Sequence, residues 1–134
     1  MRSWNRSALG VERMDVRKFF RSFRFAGRGI RHALGTEQNF RLHLAAAAAA
    51  TAAGVLTGLS TIEWIILILL FAGMFSLELV NTAIERIVDK ASPELHPLAG
   101  QAKDTAAGAV LVFAAASALI GALIFLPKWW NLFY

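Results

Sequence analysis

The sequence predicts an all-α membrane protein, with one amphipathic helix on the membrane surface followed by three membrane-spanning helices. The chain has 134 residues and is 57% hydrophobic, a higher apolar share than soluble domains have. Its charges are segregated, because ten of its 14 lysines and arginines lie within residues 1–43. Long uncharged runs fill much of the remainder. The chain has no cysteine, which excludes disulfide scaffolds and thiolate metal sites.

The first element is a surface helix over about residues 14–34. At 100° per residue, its apolar and basic side chains separate onto opposite faces. The apolar face holds Val16, Phe19, Phe20, Phe23, Ala26 and Ile30, and the basic face holds Arg17, Arg21, Arg24 and Arg28. This pattern is typical of a helix lying among lipid headgroups. We expect Gly27, Gly29 and Gly35 to bend or break it. An RNA-binding arm is the competing interpretation, but the strict spacing of the phenylalanines favours the membrane, so no nucleic-acid partner is expected.

Three spanning helices are predicted next, over about residues 38–60, 62–91 and 100–126. Crossing the hydrocarbon core takes about 20 helical residues. Alternating strands are absent from the sequence, so a closed barrel is excluded. The basic residues fall almost entirely before the first span and in the 86–103 region. The excess of Lys and Arg therefore predicts a cytoplasmic N-terminus and an extracytoplasmic C-terminus.

The second span carries acidic and amide side chains at membrane depth. Its uncharged part, residues 64–77, is only about 21 Å long and must continue past Glu78 to cross the bilayer. On a helical wheel, Glu78, Asn81, Glu85 and Asp89 form one stripe. A solvated helix end explains Asp89 easily but explains the deeper Glu78 poorly. An ionisable side chain at this depth indicates a functional site.

All three spans bring polar side chains to the same cytoplasmic side, and Thr36 is the expected N-cap of the first span. A helical bundle would gather Glu37, Glu78, Asn81, Glu85, Lys103 and Asp104. Oxygen ligands suit Mg²⁺, lysine suits phosphate, and a buried glutamate can accept a proton. These are the components of phosphoryl transfer. The sequence has no Walker-A motif, and an acceptor hydroxyl at this interface would belong to a lipid.

Three motifs carry a family resemblance. They are Glu78-Leu-Val-Asn81-Thr-Ala-Ile-Glu85, then Ala102-Lys103-Asp104, with Thr36-Glu37-Gln-Asn-Phe-Arg41 upstream. Together they resemble the small bacterial diacylglycerol kinase and undecaprenol kinase family over roughly residues 18–126. The residues around Ser92-Pro93, Pro97-Leu98 and 106–110 are more similar to the undecaprenol kinases of Gram-positive bacteria.

The resemblance implies a homotrimer in the bacterial plasma membrane, with MgATP as phosphate donor and a membrane lipid alcohol as acceptor. It implies that Glu78 is the general base and that Glu37 and Glu85 hold the metal. The lipid acceptor is expected at Glu78 and Arg41. The expected ATP-binding residues are Lys18, Phe25, Glu37, Asn81, Glu85, Glu94, Leu95, His96, Lys103 and Asp104. Phe25 and Leu95 stand where relatives often have tyrosine, so a hydroxyl contact to nucleotide is not expected there.

Undecaprenol is the expected acceptor, and diacylglycerol is the alternative. A proton-coupled transporter using Glu78 is a second class of function, but it needs access from both sides of the membrane, whereas the polar residues crowd one interface. A passive anchor protein is a third class. His43 stands where the enterobacterial relative has a glutamate. His32 and His43 are interpreted as isolated interfacial or capping residues.

Overall fold

The computed structural model describes residues 16–92 and 96–133, with side chains as far as Trp130. Within these residues the regular structure is entirely helical, as predicted. The four helices are α1 (Val16–Thr36), α2 (Gln38–Thr57), α3 (Thr61–Ala91) and α4 (Pro97–Phe133). Three of them, all except α1, are long and apolar enough to cross a membrane. The described part of the chain is therefore one amphipathic helix followed by three candidate spans.

Helix α1 presents its phenylalanines outward. The rings of Phe19, Phe20 and Phe23 are all more than half exposed and meet edge to face. The prediction of a break at the glycines is wrong, since α1 runs through Gly27, Gly29 and Gly35 without interruption. An unbroken helix keeps the apolar face continuous along its length, as binding to a lipid surface requires.

The junction between α1 and α2 is a single residue. Glu37 has an extended backbone and occupies the N-cap position of α2, although its side chain makes no capping hydrogen bond. The prediction that Thr36 is this N-cap is wrong, because Thr36 is the last residue of α1 and Glu37 takes the N-cap position. This tight junction holds the end of α1 beside the start of α2.

The turn between α2 and α3 is closed by standard capping chemistry. Gly58 has a φ of 68° and ends α2 in the left-handed region that glycine adopts without strain. Ser60 and Glu63 then form a capping box at the start of α3. Glu63 also pairs with Lys128 of α4 at 3.1 Å, so the same carboxylate begins one helix and links it to another.

Helices α3 and α4 form the most extensive helix pair. Their close approach depends on Gly73, because an added methyl group there would overlap the ring of Phe113. Leu67, Ile124 and Phe125 form the buried apolar cluster between them. Helix α4 continues through Pro127 to Phe133, past the residue 126 at which the predicted span ends.

Many large apolar side chains point away from this packing. Leu69, Leu111, Val112 and Leu123 are all at least 64% exposed within the single chain. Large contiguous apolar patches are rare on water-soluble monomers, and these side chains add much exposed apolar area to α3 and α4. Such a surface suits contact with lipid or with other membrane helices.

Candidate active site

The candidate site is built around α3, whose 31 residues extend about 46 Å at 1.5 Å per residue. Polar residues three and four positions apart share one face of a helix. Glu78, Asn81 and Thr82 are buried on this face, and Glu85 is half-buried. The amide of Asn81 donates to Glu85 Oε1 over 2.9 Å. One face of α3 therefore carries two carboxylates and an amide inside the fold.

Glu78 meets a histidine from α2. His43 Nε2 lies 3.2 Å from Glu78 Oε1, and the glutamate side chain is only 3% exposed. The pair is close, but its alignment leaves Glu78 Oε1 without a hydrogen bond among the described residues, and Asn81 Oδ1 likewise has none. A buried polar atom left unpaired is uncommon and calls for an explanation. Two acceptor oxygens are thus free to receive a ligand's hydrogen or metal.

Glu37 is held by α1 and α3. It accepts hydrogen bonds from the Thr36 hydroxyl at 2.8 Å and from Arg86 Nη2 at 3.2 Å. Arg86 also contacts Thr36 and the His32 ring. The Thr36 hydrogen bond is the main cause that lowers the pKa of Glu37, the guanidinium of Arg86 adds to it, and burial opposes both. Glu37 is therefore held in its ionised form.

Helix α4 contributes a lysine. Lys103 Nζ lies 2.8 Å from Asp89 Oδ1, and it is also near enough to Glu85 and Asp104 for their charges to act on it. Glu37 and Glu85 are in turn both near enough to act on the charge of Glu78. The structure therefore brings Glu37, Glu78, Asn81, Glu85 and Lys103 into one region, with Asp104 exposed beside it.

The other expected site residues lie at the edges of this region or outside what is described. Lys18 and Phe25 are exposed on α1, and the Arg28 guanidinium lies over the Phe25 ring at 5.4 Å. Arg41 donates to two carbonyls at the C-terminal end of α1. His96 Nδ1 accepts from the Leu98 amide at the start of α4. Glu94 and Leu95 lie outside the described residues.

Sequence reasoning missed three basic side chains in the site. The interpretation of His32 and His43 as isolated residues is wrong, since His32 contacts Arg86 and His43 contacts Glu78. In the sequence, Arg86 counts only among the basic residues of the 86–103 region that predict the orientation. Its position directly after Glu85, on a helix already thought to carry a site, is the signal that could have identified it.

An apolar cavity of about 450 Å³ leads away from His43 between α2, α3 and α4. Alanines of α2 line one side, and Leu67, Phe71, Met74 and Phe125 line much of the rest. The volume is within the usual range for small-molecule sites, which are mostly apolar with a few polar groups. One end of this cavity therefore reaches the histidine that contacts Glu78.

The donor set fits a magnesium ion that is completed by phosphate oxygens. The described residues contain no group of three or more His, Asp or Glu side chains arranged as a ready metal cage. Mg²⁺ is usually bound by one or two carboxylates together with substrate phosphates. Glu85, Glu37 and the unpaired Oδ1 of Asn81 supply oxygens of that kind.

Comparison with known protein families gives the family. The model of the prokaryotic diacylglycerol kinases matches residues 24–125. The chain belongs to the prokaryotic diacylglycerol kinase family. The match begins within α1 and includes α2, α3 and most of α4, so it covers every described residue of the site except Lys18.

Individual relatives agree with this family. An undecaprenol kinase of Bacillus subtilis is 58% identical over 116 residues, covering 87% of this chain and 94% of the relative. A diacylglycerol kinase of Synechocystis is 41% identical over 79% of this chain and 61% of the relative. The diacylglycerol kinase of Escherichia coli K12 is 33% identical over 66% of this chain and 72% of the relative. The chain is thus a lipid kinase that uses ATP and a bacterial membrane protein.

Proposed function

We propose that the chain transfers the γ-phosphate of ATP to undecaprenol and releases undecaprenyl phosphate and ADP. The observation that carries the proposal is the buried Glu78, whose Oε1 lies 3.2 Å from His43, a residue that lines the apolar cavity. A carboxylate in that position can accept the proton of a hydroxyl whose long apolar chain occupies the cavity. The name of the 58% identical relative supports undecaprenol as that acceptor.

Glu78 is the proposed general base. Its carboxylate takes the proton from the acceptor hydroxyl while the hydroxyl oxygen attacks the γ-phosphorus. The bond from the γ-phosphorus to the oxygen it shares with the β-phosphate breaks, and ADP leaves with that electron pair. The proton on Glu78 then passes to solvent. Positioned general bases typically accelerate such steps about 10²–10⁴-fold.

Glu37 and Glu85 are the proposed metal ligands. When bound, Mg²⁺ would neutralise charge on the phosphates of ATP. The negative charge of Glu37 is already balanced by Arg86, whose guanidinium forms an ion pair with it at 3.2 Å. A metal at Glu37 would compete with that pair and leave the guanidinium available to a phosphate, for which its planar fork is suited. Arg86 is therefore added to the proposed nucleotide-binding residues.

The remaining nucleotide contacts are proposed around the same end of α3. Asn81 and Lys103 lie near Glu85, Asp104 follows Lys103, and His96 directly precedes α4. Glu94 and Leu95 are proposed from the family resemblance alone. Lys18 and Phe25 on α1 are proposed contacts to nucleotide, and Arg41 is proposed for the lipid acceptor.

The cavity between α2, α3 and α4 is the proposed seat for the apolar chain of the acceptor. Its lining offers few polar atoms, and Ser117 already donates its hydroxyl hydrogen to the Phe113 carbonyl over 2.8 Å. Filling the cavity with Ala118→Phe is expected to raise KM for undecaprenol without changing KM for ATP. Leu119→Phe, which adds bulk at a 63% exposed neighbour, is the control.

The proposed assembly is a homotrimer with the N-terminus in the cytoplasm and the C-terminus outside. Exposed leucines and valines on α3 and α4 supply apolar surface for subunit contacts. The excess of basic residues on α1 supports the orientation. Its test is the accessibility of single cysteines introduced at each terminus, together with the mass of the protein in detergent.

Diacylglycerol is the second candidate acceptor, because two of the three relatives described above carry that name. In the deciding experiment, the purified protein is incubated with Mg²⁺, with ATP labelled on its γ-phosphate, and with equal concentrations of undecaprenol and diacylglycerol. Label is expected mainly in undecaprenyl phosphate. Predominant labelling of phosphatidic acid would reverse the choice of acceptor, and labelling of neither would contradict the proposed function.

A further inference from the structure

His43 is a polar side chain at the site to which the proposed reaction gives no role. It lies on α2 in an otherwise apolar run of the helix and is 27% exposed, yet its Nε2 is 3.2 Å from the Glu78 carboxylate. The same imidazole lines the inner end of the 450 Å³ cavity. One side chain therefore touches both the proposed base and the proposed acceptor seat.

An aromatic pair fixes the spacing of the two helices at this contact. Phe40 lies one turn before His43 on α2, and Phe75 lies one turn before Glu78 on α3. Their rings are 5.3 Å apart between centroids, and Phe40 is only 4% exposed. Aromatic pairs at this separation attract each other beyond the burial of their area. The closeness of His43 to Glu78 is thus held by packing and does not depend on two mobile side chains.

The charges around this pair come mainly from α3 and the start of α2. Glu78 faces the imidazole directly, and the carboxylates of Glu85 and Glu37 act on Glu78 from further away. From α4, the cavity lining contributes Ser117 and apolar side chains. A neutral imidazole with its proton on Nε2 can donate to a carboxylate, whereas an apolar side chain in the same place cannot.

We propose that His43 is a positioning residue: a rotation of its ring brings Nε2, already 3.2 Å from Glu78 Oε1, into line to donate to that oxygen, and this hydrogen bond orients the carboxylate towards an acceptor hydroxyl at the inner end of the cavity. A carboxylate oxygen has two lone pairs, so Oε1 can accept from His43 and still take the hydroxyl proton. This inference rests on the proposed function, because it assigns Glu78 the task of a base.

A purely structural role for His43 makes different predictions. If the imidazole only fills space beside Phe40, an apolar side chain of similar size should preserve turnover. If it positions Glu78, a side chain that keeps a donor should preserve turnover and an apolar one should not. His43→Gln and His43→Leu separate these two cases.

The experiment uses the full chain in lipid nanodiscs with undecaprenol, MgATP and four proteins: wild type, His43→Gln, His43→Leu and the control Thr51→Ala. Thr51 lies on the same helix, and its hydroxyl donates within that helix to Ala47. His43→Leu is expected to lower kcat about 10- to 100-fold, as loss of a hydrogen bond to a charged group does. KM for ATP should stay within about twofold. His43→Gln should recover most of kcat, and Thr51→Ala should match wild type.

A second measurement reads the contact without turnover. Imidazole ¹⁵N shifts are recorded in wild type and in Glu78→Gln, and the chain has only three histidines to assign. The His43 signals are expected to change while those of His96 stay in place. Unchanged His43 signals, or wild-type kcat in His43→Leu, would overturn the inference. If wild type phosphorylates no lipid alcohol, the proposed function fails instead, whatever His43 does.

Discussion

Replacing Glu78 by glutamine should lower turnover strongly while leaving the thermal stability of the fold unchanged or raising it. The substitution keeps the shape of a side chain that is 3% exposed but removes its negative charge. A general base typically contributes about 10²–10⁴ to the rate, so the barrier should rise by about 3–5 kcal/mol. ATP binding should persist, because the charged groups at Glu37, Glu85 and Lys103 are unchanged.

The same substitution should stabilise the fold or leave it as stable. In the wild type, Glu78 is buried, its Oε1 is close to His43 Nε2 without an aligned hydrogen bond, and the charges of Glu85 and Glu37 act on it. Removing a poorly compensated buried charge often stabilises a protein, here by about 1 kcal/mol. Thermal unfolding in detergent should therefore show an equal or higher midpoint for Glu78→Gln.

Glu63→Gln is the matched control, with the same chemical change on the same helix. Glu63 closes the capping box of α3 and pairs with Lys128. Its loss of charge should lower the unfolding midpoint slightly and leave kcat unchanged. Turnover of Glu78→Gln within about tenfold of wild type would refute the role of Glu78 as base. A large fall in both the activity and the unfolding midpoint of Glu78→Gln would refute the claim that the buried charge of Glu78 destabilises the fold.

Three further predictions concern the metal, the helix packing and pH. Glu85→Gln should shift the Mg²⁺ dependence of turnover to higher concentration, and an unchanged titration curve would count against its role as ligand. Gly73→Ala should destabilise the α3–α4 pair by about 1–3 kcal/mol, because the new methyl overlaps Phe113, and adding Phe113→Leu should restore most of the unfolding midpoint. The pKa of Glu37 is lower in the folded protein than in the unfolded chain, so the ionised carboxylate stabilises the fold. This contribution is complete above the unfolded carboxyl pKa of about 4.3 and is lost as the pH falls through the lower folded pKa. Glu37→Gln should therefore lose part of the acid-side slope in a pH series of unfolding midpoints, whereas an identical slope would contradict the pairing.

Most of the helical framework could be predicted because it depends on local chemistry. The stripe from Glu78 to Glu85 follows from helical periodicity, and the Asn81–Glu85 hydrogen bond is the neighbour contact that four-residue spacing permits. The capping box of Ser60 and Glu63 is likewise a pattern within four consecutive residues. Such features need no knowledge of how the helices pack.

Contacts between helices could not be predicted in the same way. The His43–Glu78 pair depends on how α2 is rotated about its axis and on how far it slides along α3. That geometry is set by Phe40 and Phe75. The glycine break expected in α1 failed for a related reason. A glycine lowers helix propensity by only about 1 kcal/mol, and the neighbouring residues of α1 are sufficient to keep the helix intact.

Polar contacts of α3 divide into two groups along its length. Towards its C-terminal end, Glu78, Arg86 and Asp89 pair with His43 of α2, with Glu37 at the α1–α2 junction and with Lys103 of α4. At its N-terminal end, the pairing of Glu63 with Lys128 joins α3 to α4. A ligand that binds Glu37 or Lys103 in the first group must replace the ion pair of that residue, whereas the second group has no such competitor. Neutralising charges at the C-terminal end should therefore change ligand affinity and turnover more than stability, and neutralising charges at the N-terminal end should do the reverse.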